Sequence, residues 1–207
     1  AAEGGWTPLL IATHSGHSSV VKILLERRAE VDQAVSGWTS LFYACHNGDV
    51  DAIRLLLEAG AEIDRSMENG ATPLSIASGQ GHSSIVALLE EQLDSKFPLH
   101  AAARTGDVDA MTQLLDGGAE VDAKKDGATP LYMACENGRV DAARLLLDKG
   151  VEVDRANNHG ATPLFIACQQ GHVDAARLLL DKGADASRVT KKGTTPLGIT
   201  RKKGHSS

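Results

Sequence analysis

Aromatic side chains make up only 3% of the 207 residues, and tryptophan occurs twice. A core built on large rings is excluded. Alanine and leucine must fill the interior instead, which suits thin layers of closely packed helices. Cysteine is as sparse: Cys45, Cys135 and Cys168 are the only three, each preceded by alanine. Helices stacked about 10 Å apart would hold Cys135 and Cys168 beyond disulfide reach. Three free thiols point to a reducing compartment. No apolar run is long enough to span a membrane, no leader segment is visible, and no Asn-x-Ser/Thr acceptor occurs. An intracellular, cytoplasmic location is expected, for a chain that reads as a piece cut mid-repeat at both ends. A basic surplus is also lacking. The formal net charge of −6 argues against a general nucleic-acid or anionic-membrane binder.

What the sequence does have is repetition. Gly-Ala-Thr-Pro-Leu occurs at Gly70, Gly127 and Gly160, with degenerate copies at Gly5, Gly37 and Gly193 and a weaker one at Phe97. The residue immediately before the leucine of each copy is Pro8, Ser40, Pro73, Pro98, Pro130, Pro163 or Pro196, spaced 32, 33, 25, 32, 33 and 33 residues apart. A period near 33 marks a repeat array. Within one unit, Thr129 is placed to accept from a free N–H of the first helical turn. Pro130 sits where a missing N–H costs nothing. Leu131, Met133 and Ala134 then form a buried face, and Gly138 ends the helix. A second helix over about Val140 to Lys149 repeats Val140, Ala143, Leu146 and Leu147 at helical spacing. Val151 to Asp154 alternates and reads as extended, leading to a turn near Gly160.

Thr-Pro-Leu-x-x-Ala, Gly-x-Val-x-x-x-x-Leu-Leu-Leu-x-x-Gly-Ala and the 33-residue period resemble ankyrin repeats over nearly the whole chain. The resemblance implies an all-α ankyrin-repeat solenoid of stacked helix-turn-helix units with projecting β-turn loops. The expected organisation is a single array over 1–207, with repeats at 1–34, 35–67, 68–95, 96–124, 125–157, 158–190 and a truncated 191–207. The family's usual histidine after Pro-Leu survives only as His100, where it is expected to bond between neighbouring repeats. The 25-residue spacing removes one projecting loop after the third repeat. It reads as a local irregularity in one stack, with a junction between two arrays as the alternative.

The resemblance also implies partner binding on a concave face made by the loops and first helices. The positions that map there are Trp6, His14, Trp38, His46, Asn47, Arg104, Lys125, Asp126, Glu136, Asn137, Asn158, His159, Gln169, Gln170, Lys191, Lys192, Lys202 and Lys203. Trp6 and Trp38 occupy the same loop position in adjacent repeats, and tryptophan is enriched in interface hot spots. The alternative is that each ring lies flat on its own loop. From Arg188 onward six basic residues stand with no acidic one, against 15 basic and 27 acidic before it. That basic end reads as a solvated last repeat or, more sharply, as a contact for an acidic partner.

Catalysis and metal binding find no foothold in this pattern. His14 and His46 have no third ligand, and acids such as Asp49, Asp51, Asp107, Asp109 and Asp141 recur at second-helix starts, as a structural job would. His17, His82 and His172 follow helix-ending glycines and read as structural. The expected function is therefore a non-catalytic module binding a protein or peptide, with no cofactor, metal, nucleic acid, membrane insertion or small-molecule substrate. The alternative is a structural spacer that positions other domains. Two rings packed flat with no ligand would favour that alternative, and an exposed, mutation-sensitive tryptophan pair would favour binding.

Overall fold

The computed structural model describes residues 5–125 and 127–204, and places thirteen helices among them. The chain divides into two compact units, one up to Leu93 and one from Asp94 onward. The first unit holds α1 (Pro8–His14), α2 (Ser18–Glu26), α3 (Ser40–Asn47), α4 (Val50–Glu58), α5 (Pro73–Gly79) and α6 (Ser83–Lys96), whose last turn falls at the division. The second holds α7 (Pro98–Thr105), α8 (Val108–Asp116), α9 (Pro130–Glu136), α10 (Val140–Asp148), α11 (Pro163–Gln170), α12 (Val173–Asp181) and α13 (Pro196–Lys203).

In each unit first helices stack on first helices: α1 on α3 and α3 on α5, then α7 on α9, α9 on α11 and α11 on α13. Second helices form a parallel layer, α2 on α4 and α8 on α10 on α12. The local chemistry explains each start. Thr7, Thr72, Thr129, Thr162 and Thr195 all accept a backbone N–H of the first turn, with proline next in line. Asp49 and Asp107 do the same for α4 and α8. The repeat position that holds the cysteines is taken by small residues in the other units; it is buried at Thr13, Cys45, Ala103 and Cys135 but exposed at Ser78. All three cysteines are free, and burial pushes the Cys45 and Cys135 thiols up to about 12.

The α10 face follows its sequence: Ala143 and Leu146 are fully buried, and Leu145 and Leu147 are half-buried. Val151 to Asp154 departs from the expected extended segment. It bends into a turn at Val153–Asp154, closed by the Arg155 N–H donating to the Glu152 carbonyl at 3.2 Å. The bend lets the Asp154 carboxylate accept the Asp185 N–H of the next repeat at 3.0 Å. Asp32 accepts the Glu62 N–H in the same way at 3.1 Å.

A second set of bonds ties successive first helices. His82 Nε2 donates to the His46 carbonyl at 3.2 Å, His172 Nε2 to the Glu136 carbonyl at 3.1 Å, and Arg139 Nε to the Arg104 carbonyl at 3.2 Å. Each satisfies an orphan carbonyl at the end of the preceding repeat's first helix. The expected structural role of His82 and His172 is thus visible as a bond. His100 is buried and donates to the Ala128 carbonyl of the following repeat at 3.2 Å. Burial holds its imidazole below the usual histidine range.

Candidate functional site

Six predicted or neighbouring rings of the first unit, Trp6, His14, Trp38, Phe42, Tyr43 and His46, form one aromatic cluster. The cluster begins with a hairpin turn: Ser36 (φ 51°) and Gly37 (φ 84°) both take positive φ, as a type I′ turn requires. Val35 and Trp38 exchange backbone bonds of 3.1 and 3.0 Å across it. Trp38 is thereby aimed over the start of α3. Its ring meets Tyr43 at 5.0 Å between centroids, and Trp6 meets the same tyrosine at 5.6 Å, the planes inclined by 34° and 32°. Tyr43 lies between the two indoles. His14 stands edge-on to Trp6 at 5.5 Å and to Tyr43 at 5.1 Å, and His46 edge-on to Trp38 at 5.8 Å. Such tilted and edge-to-face pairs are the favoured arrangements of aromatic rings.

Both indoles are half-buried, where the repeat alignment places them on exposed loops. Trp6 meets Tyr43 across adjacent repeats, and Trp38 meets it within its own. Tyr43 is the residue that sequence reasoning missed. Its signal was present, since the equivalent positions hold Ile11, Ile76, Ala101, Met133, Ile166 and Ile199. A lone phenol among aliphatic residues, beside two tryptophans, marked the spot.

The remaining predicted residues separate into bonded and open ones. The Asn47 amide donates to the Thr13 and His14 carbonyls at 3.1 and 3.0 Å, so it closes the end of α1. Arg104 pairs with Asp94, and Lys125 lies 4.0 Å from the same carboxylate with its side chain largely covered. The Asn137 amide donates within its own helix to Met133. Glu136 is half-buried, and burial holds its carboxyl above the usual range. Asn158 is exposed and passes over Gly127, and the His159 carbonyl accepts the Lys191 N–H at 2.9 Å. Gln169 is half-buried; Gln170, Lys191, Lys192, Lys202 and Lys203 are exposed. Asp126 lies outside the described residues. Among the described residues no group of three His, Cys, Asp or Glu side chains is placed to hold a metal ion. No described helix is long and apolar enough to cross a membrane.

Two-helix units, proline-threonine starts, loop aspartates that bond the next loop and a 33-residue period define an all-α repeat protein. A family model described as "Ankyrin repeats (3 copies)" matches residues 2–67, 29–96, 64–125, 89–157 and 151–206. The chain belongs to the ankyrin repeat family. Members of that family generally act by binding other proteins and are generally non-catalytic. A search of curated proteins finds no match.

Proposed function

We propose that this chain is a protein-binding module whose partner, a peptide or folded protein, docks on the loops and first helices. The observation that carries the reading is the Trp6–Tyr43–Trp38 cluster. Two half-buried indoles held by a third ring are rigid amphipathic surface, and little ordering cost attends binding to a preformed face. Interface hot spots favour such residues. The spacer reading draws on the same cluster, because rings packed on one another help to fasten two repeats together.

The two readings separate in a Trp6→Ala/Trp38→Ala variant. Linear peptides are selected from a displayed library on the immobilised chain and titrated against parent and variant, after helical content and melting have been compared. A binding face predicts loss of about 10-fold or more in affinity, as for truncated hot spots. A spacer predicts lowered melting of the variant, with no selected peptide that distinguishes it from the parent.

A further inference from the structure

Beside the aromatic cluster lies a cleft of about 470 Å³ lined by Ser36, Gly37, Trp38, Met67, Glu68 and Asn69. Its walls come from the loops of two adjacent repeats. The Met67 side chain lies against Gly37, close enough that a Cβ there would be 3.6 Å from Met67 Cγ. Trp38 supplies an indole, Met67 an apolar floor, and Glu68 an exposed carboxylate. Asn69 accepts the Ala71 N–H through Oδ1 at 3.0 Å, which leaves its amide nitrogen as a donor for a partner's main-chain carbonyl.

No basic side chain lines the cleft. The nearest in sequence, Arg65, is engaged by Glu62 at 3.5 Å and by the Asp32 carbonyl at 3.3 Å. The surrounding charge has one sign. Residues 1–93 contain five Lys or Arg against twelve Asp or Glu, whereas residues 94–207 contain sixteen against fifteen. An indole beside a carboxylate, in an acidic unit, fits a side chain with a flat cation and an apolar stem. Arginine meets that description better than lysine, because a guanidinium stacks on an aromatic face while its edge donates to a carboxylate.

We infer that the partner presents an arginine into the Trp38–Met67–Glu68 cleft, on a peptide segment that also covers the aromatic cluster. The inference rests on the binding-face reading above and assigns its partner's charge. Its test begins with linear decapeptides selected from a random displayed library on the immobilised full chain. The strongest peptide is then synthesised with arginine, lysine or citrulline at its common basic position. Each form is titrated by calorimetry against the parent, Glu68→Gln and Trp6→Ala/Trp38→Ala. Glu68→Gln changes an exposed side chain to its neutral isostere, so folding is preserved and is checked by melting.

The expected result is a common arginine, a loss of about 10-fold on citrulline substitution, and collapse of that gap on Glu68→Gln. Peptides without a common cation, or with equal affinity for the citrulline form, overturn the arginine assignment. If those peptides are still lost on the double tryptophan variant, the binding face itself stands. Peptides retained on the tryptophan variant overturn the arginine assignment and the face together, and a selection that enriches nothing overturns the arginine-bearing peptide.

Discussion

Arg28 and Ser40 stand where the other repeats hold a residue better suited to the backbone. Arg28 has φ 60°, while the equivalent Gly60, Gly118, Gly150 and Gly183 take φ between 85° and 90°. A side chain in the left-handed region crowds its own carbonyl. Arg28→Gly is expected to raise stability by up to about 1 kcal/mol, the relief of strain exceeding the added freedom of the unfolded chain. Urea denaturation read by circular dichroism checks it. Ser40 opens α3 where the other first helices have proline, and its buried hydroxyl has no partner among the described residues. Thr39 already has the extended backbone (φ −88°, ψ 172°) that must precede proline. Ser40→Pro should therefore stabilise by about 1 kcal/mol, through a stiffer unfolded chain and the loss of an orphan hydroxyl. A higher urea midpoint at unchanged slope would confirm it.

His100 carries the pH dependence at this scale. Its folded imidazole titrates below 6.5 because burial opposes the charge, outweighing its backbone bond to Ala128. The unfolded chain binds the proton more readily, so stability is full above about pH 6.5 and falls as pH drops from there toward the folded value. His100→Leu should be less stable than the parent at pH 7.5, having lost the bond to Ala128. It should also lose less stability than the parent between pH 7.5 and 5.5. Paired urea curves at the two pH values test both statements.

At the scale of elements, the junction of α9 with the next repeat depends on a glycine and a histidine together. Gly138 has φ 64°, and a Cβ there would stand 2.7 Å from the His172 ring. Gly138→Ala therefore strains the backbone and displaces the ring from the Glu136 carbonyl. Gly150→Ala, at φ 85° with open space around it, meets only the backbone penalty. The first should cost about 1 kcal/mol more than the second, the worth of the lost bond. Because the two effects share one bond, Gly138→Ala and His172→Ala should be less than additive in a double-mutant cycle read by thermal melting.

Across the whole molecule, stability is a sum over repeats and their interfaces. One continuous core runs from Leu99 of α7 to Ile199 of α13, and most of its buried side chains come from α9 to α12. Helix α13 packs on α11 and buries only Pro196 and Ile199, while Leu197 is 59% exposed. Hydrogen exchange should thus reach the α13 amides first and those of α9 to α11 last within the second unit. Slow exchange throughout α13 would contradict this view of where the core ends.

The helix pairs were legible in the sequence because each start and stop is a local event. Threonine caps, proline at the first position and glycine after the last need no information from elsewhere in the chain. The period then dictated that each unit leans on its neighbours, since one pair is too small to bury its own apolar face. The turn at Val153–Asp154 was not legible, because its purpose, to present Asp154 to the Asp185 N–H, lies in the next repeat. The aromatic cluster was half legible. Sequence alone determined that Trp6 and Trp38 share a loop position and that Tyr43 interrupts an aliphatic column. Only the tertiary structure decided that the three rings meet and that Asn47 is used up on α1. It also brought Glu68 to the same cleft as Trp38. Apart from Trp38 with Tyr43, those contacts join residues about one repeat apart, and their geometry follows from how the helices stack.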